Sequence, residues 1–146
     1  MRVGPEHALG GSFIGGFVRA ATPGLHAAGQ LWLPALATVR VRIRVVHAHA
    51  GVESYEMLRS TVAFPTLEAG VSNKRLGGPA PQAELRRDDT VYTTGSNFWR
   101  ASSFLNRAAV CEFEDLSLEL DPGEGLELQC VNTDAVLALT FEWVEL

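Results

Sequence analysis

The feature that most constrains this chain is a repeated period of two. From Thr38 to Val45 the alternation is unbroken, with Val39, Val41, Ile43 and Val45 on one face and Arg40, Arg42 and Arg44 on the other. Successive side chains of a strand point to opposite faces, so this pattern suits a half-buried strand and not a helix. The same period returns in Leu116, Leu118 and Leu120 against Ser117 and Glu119, and in Leu126, Leu128 and Cys130 against Glu127 and Gln129. It returns again in Leu137, Leu139, Phe141 and Trp143 against Ala138, Thr140 and Glu142. Turn residues punctuate these runs. In Asp121-Pro122-Gly123-Glu124-Gly125, proline suits the second position of a tight turn and glycine supplies a positive φ. Asn132-Thr133-Asp134 reads as the next turn. Further strands are expected at 90–94, 98–104 and 109–114. No internal repeat and no long helical period is present. Many short, turn-bounded strands imply an all-β, antiparallel sandwich or barrel.

The rest of the chain is less regular. Residues 1–28 are rich in Gly and Ala, broken by Pro5 and Pro23, and carry one short apolar stretch around Phe13, Ile14, Phe17 and Val18. Such a segment cannot build its own core. It is expected to be an extended N-terminal arm that docks on a neighbouring surface, leaving 29–146 as the β-domain. Leu31-Trp32-Leu33 before Pro34 reads as a short edge strand. Residues 52–64 fit either a strand or a helix of about three turns, and the flanking strands favour a strand. Residues 65–87 carry Pro65, Gly70, Gly77, Gly78, Pro79 and Pro81 and read as a long loop.

A length of 146 residues fits one domain with an adequate core. The net charge of -5 argues against non-specific nucleic-acid binding, which needs a positive field. Residues 20–39 lack Asp, Glu, Lys and Arg, yet Pro23, Gly24, His26, Gly29, Gln30 and Pro34 interrupt them, so no membrane span is expected. The start is a poor signal peptide. Cys111 and Cys130 are too few for a disulfide framework. They read as buried thiols, with a mutual bridge open if their strands are neighbours. A protein made in a reducing cytoplasm is the resulting expectation.

Catalytic constellations are weak. His47 and His49 share a strand face but lack a third ligand at a recognisable spacing. The carboxylate pairs Asp88/Asp89 and Glu112/Glu114 read as solvated charges. Neither a P-loop nor a Gly-x-Ser-x-Gly elbow occurs. Neither an enzyme nor a cofactor is therefore expected. The Arg40, Arg42, Arg44 row is the sharpest electrostatic feature. It suits phosphate contact, a subunit interface built on bidentate Arg–carboxylate pairs, or a solvated face cross-paired with Glu119, Glu127 or Glu142. Trp32, Trp99 and Trp143 could line a sugar platform, although the alternation points Trp143 into the core. In Phe98-Trp99 one of two adjacent aromatics must face away from the core, which makes Trp99 a second candidate for a subunit interface.

The Leu120-Asp121-Pro122-Gly123-Glu124-Gly125-Leu126 turn, followed about fifteen residues later by Thr140-Phe141-Glu142-Trp143-Val144-Glu145, resembles the ending of small virion proteins of tailed bacteriophages. Gly51 to Arg59, following His49-Ala50, is similar to the middle of the same proteins. The resemblance runs from about residue 39 to the end. Its motifs are turn and core features and do no chemistry.

The resemblance implies a capsid decoration protein, a jelly-roll-like domain close to the tumour-necrosis-factor fold. Such proteins commonly form trimers. They bind the outer surface of the expanded shell, with the major capsid protein as partner, and brace it mechanically. It places the protein on the virion's capsid surface after synthesis in the host cytoplasm. In this setting the arm around Phe13, Ile14, Phe17 and Val18 would contact the shell or a neighbouring subunit. Two other readings stand beside it: a head fibre or a receptor- or glycan-binding tail protein, and a small β-sandwich enzyme or sugar-binding module.

Overall fold

The computed structural model describes residues 11–20, 24–50, 53–74, 77–88, 99–103, 109–112 and 118–146. For residues 53, 72, 88, 99–103 and 109–112 only the backbone is described. Among these residues there are twelve strands and no helix. They are β1 (Gly11–Arg19), β2 (His26–Leu33), β3 (Val41–His49), β4 (Glu53–Ser60), β5 (Thr66–Glu68) and β6 (Val71–Asn73). Then follow β7 (Glu84–Asp88), β8 (Trp99–Ser103), β9 (Ala109–Glu112), β10 (Leu118–Leu120), β11 (Glu124–Thr133) and β12 (Leu137–Glu145).

The strands form two antiparallel sheets that pack face to face. One sheet has the order β10-β3-β12-β1-β6, with β9 also on β3; we call it sheet A. The other, sheet B, has the order β5-β7-β2-β11-β4-β8. The pairing is nested. The first strand pairs with the last, β2 with β11, β3 with β10 and β9, and β4 with β8. The expected long loop of 65–87 instead holds β5, β6 and the start of β7. These extend sheet B beyond β2 and sheet A beyond β1.

Inward-facing residues meet between the sheets. Leu31, Val41, Ile43, Tyr55, Met57, Leu85, Leu126, Leu128, Leu139, Phe141 and Trp143 are all buried there. Trp143 fills the core, as its alternation requires, and stacks on Phe13 with ring centroids 5.8 Å apart. Cys130 is buried in the same core. Cys111 lies on β9 of the opposite sheet, so the two cysteine-bearing strands are not hydrogen-bonded neighbours. The Asp121 turn closes as its residues demand. Glu124 N–H donates to Asp121 O at 3.0 Å, and Gly123 has φ +85°.

The N-terminal segment departs most from expectation. Residues 11–19 are not an arm. They form an interior strand of sheet A, paired along nine positions with β12 and flanked by β6. The glycines hid the pattern: Phe13, Gly15 and Phe17 alternate inward, and Gly15 lies close against Leu85 and Val71. A missing side chain breaks a hydrophobic period on paper without breaking it in space. Residues 26–28 likewise belong to β2, and residues 1–10 lie outside the described residues. β2 is not an edge strand either, since it lies between β7 and β11. Gly29 sits at its centre because the sheets approach closely there. An added Cβ would come within 2.3 Å of Leu139 and 2.6 Å of Phe17.

The alternation of β3 also changes phase. Val41 and Ile43 are buried, but then Val46 and Ala48 are buried and Val45 is not. A β-bulge causes this: Trp143 pairs with Ile43 and the adjacent Glu142 with Val45, leaving Arg44 as the extra residue. An inserted residue swaps the faces of everything after it. The doublet Val45-Val46 is its trace in the sequence.

If Phe13 is a core residue and not a docking arm, Phe13→Ala should destabilise the isolated protein by about 3–5 kcal/mol in denaturant unfolding. Leu36→Ser, at a residue 96% exposed, should change stability by less than about 0.5 kcal/mol in the same experiment.

Candidate functional site

β3 is held on both sides, by β12 and by β10 and β9, so its arginines do not guard a free edge. The register sets Arg42 beside Glu119 of β10. The Arg42 guanidinium donates to that carboxylate through Nη2 at 3.0 Å and Nε at 3.3 Å. Arg40 donates through Nε to Asp121 at 2.7 Å and lies 3.7 Å from Glu119. This hydrogen bond and the Asp121 charge, with Glu119 adding, raise the pKa of Arg40 above its usual value, so it stays cationic. Arg44, at the bulge, is exposed. Of the three expected carboxylate partners only Glu119 takes that role. Glu142 pairs with Lys74, and Glu127 is buried in sheet B. Arg40 and Arg42 thus form a cross-paired face.

Phe13 is 1% exposed and Phe17 packs against the core, whereas Ile14 and Val18 point outward and are 38% and 71% exposed. One strand therefore splits the four expected arm contacts into two core residues and two surface residues. Trp99 lies on β8 opposite Met57 of β4, and Phe98 is outside the described residues. Trp32 and Trp143 are both buried and belong to opposite sheets, so they do not make a shared platform.

His47 and His49 lie on the outer face of sheet A. Among the described residues no three His, Cys, Asp or Glu side chains converge as a metal site would require. Asp89 and Glu114 lie outside the described residues, as do the side chains of Asp88 and Glu112. Among the described residues no helix is long and apolar enough to cross a membrane.

Two polar clusters were not anticipated. Glu145 is buried at the end of β12, and its carboxylate accepts only. Gln82 N–H donates at 2.8 Å, Ala83 N–H at 3.5 Å and Trp143 Nε1–H at 3.2 Å. Gln82 Oε1 in turn accepts from Thr38 N–H at 2.8 Å. One carboxylate therefore ties the last strand to the 79–83 segment and, through Gln82, to the β2–β3 turn. The terminal Trp-x-Glu carried the signal, because a spacing of two puts Glu145 on the same face as Trp143.

Gln30 is the second hub, on the outer face of β2. Its Nε2 donates to Ser60 Oγ at 2.6 Å and to Val62 O at 2.9 Å, and its Oε1 accepts from Phe64 N–H at 2.8 Å. Arg86 adds a bond from Nη1 to Phe64 O at 2.9 Å. The 60–64 segment is thereby stapled across sheet B. Nothing in a period-two pattern announces this, because it depends on which segment crosses the face.

These arrangements brace a scaffold. Their side chains are spent on backbone groups and on one another. No protein-family model matches the chain, and neither a curated protein nor a solved structure does.

Glu145→Ala should cost about 1–3 kcal/mol, since it strands buried donors. Arg42→Ala should cost less than about 1 kcal/mol, as exposed ion pairs do. Urea unfolding of both variants checks the contrast.

Proposed function

We propose that this protein is a bacteriophage capsid decoration protein. It binds the outer surface of the expanded shell as an oligomer, a trimer by its resemblance, and strengthens the shell mechanically. The observation that carries the reading is the nested strand order. Pairing β1 with β12, β2 with β11, β3 with β9 and β10, and β4 with β8, split between two sheets, supports a jelly-roll reading of the sandwich. We assign the domain to that fold, close to the tumour-necrosis-factor type, with β5 to β7 as an insertion. Jelly rolls are a recurrent architecture of viral capsid proteins.

The motifs behind the sequence resemblance have mechanical roles that suit such a part. Pro122 and Gly123 turn the chain between β10 and β11, and Gly123 N–H donates to Leu33 O at 2.8 Å. Trp143 joins the first strand to the last. A net charge of -5 suits a protein that covers a shell and never touches the DNA inside. Its partners are the major capsid protein and further copies of itself.

The mechanism needs no bond making. A rigid body seated across junctions between shell subunits adds contacts that the bare shell lacks. With Phe13 and Phe17 turned inward, these contacts come from outward groups. Leu36 is one: it rides a turn closed by Ala37 N–H donating to Pro34 O at 3.0 Å. A preorganised apolar side chain loses little freedom on docking.

Mixing the full chain with expanded, undecorated shells should give co-sedimentation and a higher rupture temperature of the shells. Binding to host cells or glycans with no binding to shells would overturn the reading in favour of a head-fibre or tail protein.

A further inference from the structure

Two imidazoles share the outer face of sheet A. His47 and His49 are two residues apart on β3, and their neighbours Val46 and Ala48 are buried in the core. His47 is exposed and His49 half-buried. Two steps of about 3.4 Å set their Cα atoms about 7 Å apart, with both side chains leaving the same face. The bulge at Arg44 is what aims them. Without the extra residue, the odd positions that begin with Val41 and Ile43 would keep facing the core, and both histidines with them. Bulges are over-represented beside functional sites, where they re-aim side chains.

The backbone beneath the pair is fixed. β3 is hydrogen-bonded to β12 on one side and to β9 on the other along this stretch. On β12 the residues beside His47 and His49 are Thr140 and Ala138, which are short and carry no charge. Glu142, opposite Val45, is held by Lys74. Among the described residues neither imidazole is engaged by a hydrogen bond or an ion pair. No third His, Cys, Asp or Glu side chain converges with them among the described residues. A closed structural metal site is thereby excluded there, and an open one is left: two nitrogen donors on a rigid strand, facing water.

We propose that His47 and His49 together chelate one divalent transition-metal cation, with water in the remaining positions. The donors set the class of ion. Imidazole suits zinc, copper and nickel, whereas magnesium and calcium take oxygen ligands. Of these metals Cu²⁺ binds a given nitrogen site most tightly. Once one imidazole holds the ion, the second meets it at a high effective concentration, which separates a chelate from two independent surface histidines. Two protein ligands bind less firmly than the three or four of catalytic and structural sites, so the ion exchanges readily. The net charge of -5 adds a mild attraction for cations. This inference goes beyond the decoration role and does not depend on it.

The test is a Cu²⁺ titration of the full chain, read by calorimetry and by electron paramagnetic resonance. The samples are the wild type, His47→Gln, His49→Gln and the double variant, with His7→Gln as a control elsewhere in the chain. Circular dichroism confirms that each is folded. The wild type and the control should hold one ion more than the double variant, with a resonance spectrum showing two imidazole nitrogens on that ion. Each single variant should weaken its binding at least about tenfold. The double variant should lose no more affinity than either single one, because removing one arm already abolishes the chelate. If one single variant misfolds, the other decides. A wild type that binds no more Cu²⁺ than the double variant overturns the inference, as does unchanged affinity in a folded single variant. Single-variant losses that add up in the double variant assign two independent histidines and likewise overturn it.

Discussion

The pairing of β1 with β12 is the constraint on which the rest of the fold depends. It brings residues 11–19 against 137–145 along nine positions, and its inner face is closed by the Phe13–Trp143 stack. Everything between those strands lies inside one large loop. Closing it costs entropy that no local contact offsets. The nested pairs β2–β11, β3–β10 and β4–β8 share that closure, so each supports the next. Such non-local pairing predisposes a domain to fold slowly. The same topology leaves the last strand anchored from both sides, by β1 and by β3.

Buried polar groups then secure what the sheets alone leave loose. Glu145 and Gln30 stand at opposite surfaces of the sandwich's logic. One lies at the end of the core face of sheet A, the other on the outer face of sheet B. Both bond mainly to backbone groups of irregular segments, at 79–83 and 60–64. A buried acceptor or donor without a partner is costly, so each of these side chains selects one path for the segment it holds. The surface ion pairs do less. Arg86 with Glu84 and Arg87 with Glu68 lie near the β5–β7 edge of sheet B, where charge discourages pairing with another strand.

The proposed decoration role draws on this rigidity and on no reactive group. Among the described residues the large apolar groups left outward are Ile14, Val18, Leu36, Val62, Leu67 and Val136, and Leu36 sits on a closed turn. The sequence resemblance and the nested strand order are independent supports for that role. One rests on turn and core residues near the C-terminus, the other on pairings spread across the chain.

The sequence by itself determined the local geometry. Period-two alternation specified the strands from Leu118 onward, the tight turn at Pro122-Gly123 and the burial of Trp143. Each of these depends on neighbours a few residues away. Only the tertiary structure decided that β1 is a sheet strand and not an arm, because Gly15 and Gly16 erase the pattern that β12 and β6 impose from outside. It alone decided that Arg44 is bulged, so that Val46 and not Val45 faces the core. It also set β2 in the interior of sheet B and placed Gln30 beneath a crossing segment. The physical reason is the same in each case. Alternation tells a strand that it has two faces, but hydrogen-bond partners and covering segments come from distant parts of the chain, and these decide which face is buried.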